Sequence, residues 1–236
     1  MIKLKDGSMN RHCLVCTPRS GSFYILKHLS ETMNLDNGKE WFGRMKKIHY
    51  DGFKTSPVTI DYTIHENLIT NKERSKRLLH LKNNKNFIIK CMPLQLSYTI
   101  EDKDLSYEEK LDTAYKILSN FPLIWLHNKN KISQFCFRVV AEETSRKEYS
   151  GTNREFSDYN KKRKIPEPNS FTATKENFDK FMKIETFTKD LEKMFPRKKD
   201  IIYEDYIKAN GIEIINNPDY KNIFTNYEEI EAWFQY

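Results

Sequence analysis

The chain contains no stretch approaching the roughly 18 uncharged apolar residues that a membrane-spanning helix requires. Nor does Met1 to Asn10 hold an apolar core of the kind that marks a secretory signal. Both absences predict a cytoplasmic protein with no membrane span. Cysteine is scarce: the four in 236 residues, Cys13, Cys16, Cys91 and Cys136, each lie within an apolar run. That placement argues against a disulfide framework and predicts reduced core thiols. Two phosphate-binding signatures are missing, Gly-x-x-x-x-Gly-Lys-Ser/Thr and Gly-x-Gly-x-x-Gly. Their absence excludes the usual nucleotide-kinase loop and the dinucleotide-binding fingerprint.

What is present is a composition of 38% apolar and 13% aromatic residues, including 15 Phe and 13 Tyr, enough to build a core and to exclude disorder of the whole chain. The length suits one domain over residues 1–236. Lys and Arg number 40 against 33 Asp and Glu, a formal charge of +7. So small and dispersed an excess favours anionic ligands in general and does not predict a nucleic-acid partner.

His12-Cys-Leu-Val-Cys16 is a short apolar run that ends abruptly at Thr17-Pro-Arg-Ser-Gly21. It predicts a buried strand and a tight turn. Ile25, Leu26, Leu29 and Met33 then recur at helical spacing, with Ser20 or Ser22 as the expected N-cap. Two further strands are expected at 87–91 and 122–127. Between them Ser106 and Glu109 form a capping box ahead of the stripe Leu111, Ala114, Tyr115, Leu118. A second stripe, Ile132, Phe135, Cys136, Val139 and Val140, follows the third strand. Later elements are expected as a helix over 175–195, a strand at 201–203 and a closing helix at 227–234. Strands alternating with helices predict a three-layer α/β/α fold around a parallel sheet. Residues 147–173, with the run Lys161-Lys-Arg-Lys164, are expected as a lid or flexible loop within the domain.

The turn at 17–22 lies where a strand meets a helix. Free backbone N–H groups and the positive helix end point at whatever sits there. Gly21 permits close approach, Ser20 and Ser22 offer hydroxyls, and Arg19 adds a planar cation. These residues describe a phosphate or sulfate cradle, although strand-to-helix turns commonly contain Pro, Ser and Gly for turn geometry alone. Cys13-x-x-Cys16 is not expected to bind metal, because residues three apart on a strand face opposite sides of the sheet and no further ligands stand at compatible spacing.

The segment Cys16-Thr-Pro-Arg-Ser-Gly-Ser-Phe-Tyr24 resembles the phosphosulfate loop of sulfotransferases that use 3′-phosphoadenosine 5′-phosphosulfate (PAPS), most closely the bacterial type that acts on trehalose and glycolipid sugars. Gly38-Lys-Glu-Trp-Phe42 stands where that family carries its catalytic base. Leu123 to Phe135 is similar to its 3′-phosphate strand, turn and helix, and Ile201-Ile-Tyr-Glu-Asp-Tyr206 to a late strand ending in Tyr-Glu-Asp. The resemblance implies a P-loop-like nucleotide fold, PAPS as co-substrate, no metal, and sulfuryl transfer to a hydroxyl of a carbohydrate or other small alcohol. It assigns Arg19 and Glu40 to catalysis, with Glu40 as general base. Ser20, Gly21, Ser22, Phe23, Lys129 and Arg138 would bind the nucleotide, Trp41 and Phe42 the acceptor. The chain has Lys129 and Phe137 where the family usually has Arg and Ser, with Arg138 or Lys161–Lys164 to compensate. His49 and His127 are the alternative bases. The alternatives to sulfuryl transfer are a nucleotide-dependent phosphotransferase and a non-catalytic polyanion binder using Lys161–Lys164 and the lysines near Arg197.

Overall fold

A computed structural model describes residues 10–18, 20–42, 46–49, 54–57, 70–97, 99, 104–149, 167–196, 198–212 and 219–235. The chain opens with β1 (Arg11–Cys16), α1 (Ser22–Thr32), β2 (Asp36–Glu40) and an antiparallel pair, β3 (Lys46–His49) with β4 (Lys54–Pro57). Then come α2 (Asn71–Asn83), β5 (Phe87–Cys91), α3 (Pro93–Leu96), α4 (Tyr107–Leu118), β6 (Leu123–His127) and α5 (Lys131–Tyr149). The last elements are α6 (Lys175–Lys193), β7 (Lys199–Ile202), α7 (Tyr203–Ala209), α8 (Tyr220–Ile223) and α9 (Tyr227–Trp233). The five parallel strands form one sheet in the order β2-β5-β1-β6-β7.

Strand β1 explains why this sheet is covered on both faces. Cys13 and Val15 join one buried cluster with Trp41, Phe87, Ile89, Trp125, Leu118 and Leu191, the side packed by α2, α3, α4 and α6. Leu14 and Cys16 join another with Ile25, Leu26, Leu29, Ile88, Ile124 and Ile207, the side packed by α1 and α7. A continuous apolar run is what a central parallel strand needs, because alternate side chains face two dry layers. Each fully buried Leu, Ile or Val contributes about 1.5–3 kcal/mol of transfer free energy. Cys13 and Cys16 therefore lie on opposite faces, and all four cysteines are buried and free.

A third cluster joins α5, α6, α8 and α9, and here much of the aromatic content is spent. Phe135 makes edge contacts with Phe178, Phe181, Trp233 and Phe234, centroids 5.6–6.3 Å apart. Such pairs add about 0.5–1.5 kcal/mol beyond area burial. Among the described residues no helix is long and apolar enough to cross a membrane.

Several boundaries differ from the sequence expectation. The capping box at Ser106 and Glu109 is present, and α6 has one of its own from Thr174 and Asn177. The late strand ends at Ile202, and Tyr203-Glu-Asp-Tyr206 opens helix α7 instead of ending a strand. The expected 147–173 loop is helical at its start, where α5 continues to Tyr149. Its end holds a turn at Pro168–Asn169 and an isolated bridge from Phe171 to Phe224. Residues 150–166, with Lys161–Lys164, lie outside the described residues.

Candidate anion-binding crevice

The strand order fixes where a ligand would sit. From β1 the chain crosses by α1, on one face, to β2 at one edge of the sheet. From β6 it returns by α5 and α6, with α6 packed on the other face, to β7 at the opposite edge. Adjacent strands whose connections diverge in this way leave a crevice at their carboxyl ends. The crevice is flanked by the β1–α1 turn and by the β6–α5 turn.

Among the described residues no side chain caps the helix at the first turn. Gly21 occupies the N-cap position of α1 with φ 71°, in the left-handed region. This corrects the expected Ser20 or Ser22 cap. The first turn of α1 also lacks an acidic residue, whereas α2, α4 and α6 each carry a side-chain cap and an acidic residue there. Ser20 and Ser22 are buried beside the Cys16 thiol, and Ser20 Oγ has no hydrogen-bond partner of ordinary geometry. A buried hydroxyl without a partner costs about 1–3 kcal/mol. Burial pushes the Cys16 thiol up, partly opposed by the Lys90 ammonium, so the floor of the turn is an uncharged S–H. A Cβ at Gly21 would lie 2.1 Å from Cε2 of Tyr203, so the Tyr203 ring closes one side of the turn. Phe23 and Tyr24 are exposed on α1. Arg19 lies outside the described residues.

The second turn is filled by the protein itself. Glu204, in the first turn of α7, accepts N–H bonds from Lys129 (3.0 Å) and Asn130 (3.1 Å), one on each carboxylate oxygen. Lys129 Nζ lies 2.7 Å from Asp205, and Asn130 Oδ1 accepts from the Ser133 amide. Lys129, proposed for a phosphate, is thus engaged by carboxylates and its side chain is 60% exposed. Arg138 stands roughly 10 Å further along α5 at 1.5 Å per residue. There its Nε donates to Glu142 at 2.7 Å.

The acidic candidate is placed at the same end of the sheet. Glu40 pairs with Lys90 in register across β2 and β5, their side chains 2.8 Å apart and about one-fifth exposed. Gln95, on α3, donates to its other oxygen at 2.7 Å. Both Lys90 and Glu40 act electrostatically on Cys16, which puts them close to the β1 turn. Trp41 and Phe42, expected to line an acceptor pocket, are instead core residues at 0% and 1% exposure. Trp41 Nε1 donates to the Arg77 carbonyl, and its ring stacks on His80. The edge strand delivers Glu40 to the sheet end, and the next two residues turn inward.

Histidine 127 ends β6 as expected. Its Nε2 lies 3.1 Å from Asp200 and 3.4 Å from Glu192, and Lys198 also reaches both carboxylates. The group ties α6 to the β6–β7 ladder. The side chain of His49 lies outside the described residues.

Sequence reasoning missed Lys90, Gln95, Thr17, Gln134, Lys131 and Glu185. Gln134 donates to Thr17 Oγ1 at 2.6 Å and to the Pro18 carbonyl at 2.9 Å, fastening α5 to the β1 turn. Lys131 Nζ reaches Glu185 at 2.6 Å and Gln134 at 3.3 Å. A lone charge inside Phe87-Ile-Ile-Lys-Cys91 was the available signal for Lys90, since lysine is seldom placed in a buried strand without a partner. Comparison with protein-family models and with curated proteins finds no match to this chain.

Proposed function

We propose that this protein is a group-transfer enzyme that moves a sulfuryl group from PAPS to a hydroxyl of a carbohydrate or other small alcohol. The observation that carries the reading is the open β1–α1 turn at the divergence of the sheet. Its helix has neither side-chain cap nor acidic first turn, and the buried Ser20 hydroxyl there has the Cys16 thiol beside it and no hydrogen bond of ordinary geometry. Such a turn offers backbone N–H donors to an anion and is complementary to one in charge.

Transfer would be in line, with positioning and charge stabilisation supplying most of the rate. The acceptor oxygen bonds to sulfur as the bond from sulfur to the nucleotide phosphate oxygen breaks. The acceptor proton passes to Glu40. The negative charge that develops on the departing phosphate is met by Arg19 and the amides of residues 20–23, in the manner of an oxyanion hole. Lys90 and Gln95 hold Glu40 as an oriented carboxylate.

Binding of the desulfated product, 3′-phosphoadenosine 5′-phosphate, tests the reading by thermal shift, with ATP and AMP as controls. Stabilisation by mass action is expected, and no shift at millimolar ligand overturns the reading. Glu40→Gln should keep nucleotide binding and lose turnover by about 10²–10⁴-fold. Persisting turnover would move the base to another residue, with His127 next.

One observation favours a second reading, phosphoryl transfer. The amides of the β6–α5 turn, where the resemblance puts the 3′-phosphate, are taken by Glu204, which suits a nucleotide phosphorylated at one end only. Activity that requires Mg²⁺ and uses ATP would select it.

A further inference from the structure

Lys131 is the first residue of α5, at the end of the β6–α5 turn. Its ammonium is held by two acceptors, Glu185 Oε2 at 2.6 Å and Gln134 Oε1 at 3.3 Å. An ammonium carries three donors, and the third has no partner among the described residues. Glu185 is a mid-helix carboxylate of α6 with a side chain 6% exposed, while Lys131 retains 30% exposure. The pair thus has a buried anchor and an accessible cation. Gln134 receives the lysine on its oxygen and gives its amide N–H groups to Thr17 and Pro18, so one side chain separates the ammonium from the open turn. In that turn Ser20, fully buried, has a hydroxyl with the Cys16 thiol beside it and no hydrogen bond of ordinary geometry. Lys129, two residues earlier, points to Asp205 on α7 instead.

On the basis of this geometry we propose that Lys131 is the cation of the β6 side that contacts the anionic group seated in the β1–α1 turn, and that Glu185 is a positioning residue that fixes its ammonium there. The ligand class is a phosphate or sulfate ester carrying at least two negative charges. The inference rests on the reading of the β1–α1 turn as an anion site, and it replaces Lys129 and Arg138 as the cations of the second element. A flexible lysine in water loses rotamer freedom on binding, and an ammonium already held by Glu185 and Gln134 has given up that freedom beforehand. An exposed partner such as Asp205 offers Lys129 no comparable restraint.

The test is calorimetric titration of the purified full-length chain with 3′-phosphoadenosine 5′-phosphate, ATP, inorganic pyrophosphate and adenosine. Lys131→Met alone would strand the buried Glu185 carboxylate and risks misfolding, so the decisive variant is the double change Lys131→Met with Glu185→Gln. Expected is a tenfold or greater loss of affinity for the multiply charged ligands, at most a twofold change for adenosine, and recovery of most of the affinity in Lys131→Arg. Lys129→Met should stay within twofold of the unaltered chain throughout. Glu185→Gln alone should weaken pyrophosphate several-fold while leaving adenosine unchanged, a selectivity that a merely structural role would not move. Affinity within twofold in the folded double variant overturns the inference, as does an equal loss for adenosine and pyrophosphate. If the unaltered chain binds pyrophosphate or ATP through Lys131 but not 3′-phosphoadenosine 5′-phosphate, the sulfotransferase reading fails and the inference stands. Binding of none of the anions overturns both.

Discussion

Two strand-to-helix turns stand side by side at the carboxyl end of this sheet, and they have been completed in opposite ways. The β6–α5 turn satisfies itself: Glu204 takes the amides of Lys129 and Asn130, Asp205 takes the lysine, and Asn130 caps the helix. The β1–α1 turn leaves its helix without side-chain cap or acidic residue, sets a left-handed glycine at its start and buries a serine hydroxyl with no hydrogen bond of ordinary geometry. A protein's own carboxylate and an external phosphate ask the same thing of a turn, which is N–H donors and positive potential. A turn already holding a carboxylate has a structural role, and the ligand is proposed for the other turn.

The contrast can be tested by changing each turn, and Gly21→Ala should have the largest effect. It places a Cβ at φ 71° and drives it into the Tyr203 ring, so strain and overpacking together should destabilise the fold by about 2–4 kcal/mol. Urea unfolding would measure the loss. Combining the change with Tyr203→Ala should cancel the overpacking share, and a loss within 0.5 kcal/mol for Gly21→Ala, by the usual tolerance for neutral sites, would show that the turn is not built around this glycine.

Next in size is Glu204→Ala in the closed turn. Losing two charge-assisted hydrogen bonds at a partly exposed site should cost about 1–2 kcal/mol of stability. The vacated amides should then bind inorganic phosphate, detected as a thermal shift larger than that of the unaltered chain. An unchanged phosphate response would mean that the two turns differ in more than their occupancy.

Ser20→Ala sharpens the comparison from the open side. Because the hydroxyl has at most the weakly bonding Cys16 thiol as a partner, its removal should leave stability within about 0.5 kcal/mol or raise it. Affinity for an anionic ligand should fall by several-fold in the same titration. A clear loss of stability with unchanged binding would assign Ser20 to the scaffold.

The smallest effect serves as a control remote from both turns. Tyr107 donates to Asp190 between α4 and α6, and its phenol is pushed up to about 12, first by burial and then by Asp190. With the folded value above the unfolded one near 10, this contribution is complete below pH 10 and lost as pH rises through about 12. Asp190 is held below its usual range, first by the Lys193 hydrogen bond and then by Tyr107, so its share is lost on acidification through that lowered value. Tyr107→Phe should flatten the alkaline limb of a stability–pH profile while leaving ligand binding at either turn unchanged.

The legibility of these features in the sequence follows from the range of the forces involved. Strands β1, β5 and β6 were readable because an unbroken apolar run such as Phe87-Ile-Ile has few uses other than a two-sided core. The capping box of α4 was readable because both partners lie within one helical turn. Strand β2, Asp36-Asn-Gly-Lys-Glu40, was not, since a polar edge strand takes its hydrogen bonds from β5 and shows no periodicity. Tyr203 was read as the end of a strand because apolar and aromatic residues continue from β7 into α7 without a break.

The candidate site divides in the same way. Gly21, Ser20 and Ser22 were identifiable from position alone, because a turn between an apolar run and an amphipathic stripe is a local pattern. Trp41 and Phe42, read as pocket or core residues, are buried in the core, and nothing local distinguishes an aromatic that lines a cavity from one that fills a core. The pairing of Lys131 with Glu185 spans 54 residues, and that of Lys129 with Glu204 spans 75. No spacing rule reaches so far.

The sequence by itself therefore determined the alternation of strands and helices, the burial of the four cysteines and the location of the β1–α1 turn, because these depend on hydrophobic periodicity and on residues within a few positions of each other. Only the tertiary structure decided the strand order that makes a crevice of two turns, which turn is filled by the chain's own carboxylates, and which lysine is paired with the buried Glu185. Those outcomes depend on charges brought together from distant segments, and a Coulomb interaction is set by distance in space, whatever the separation along the chain.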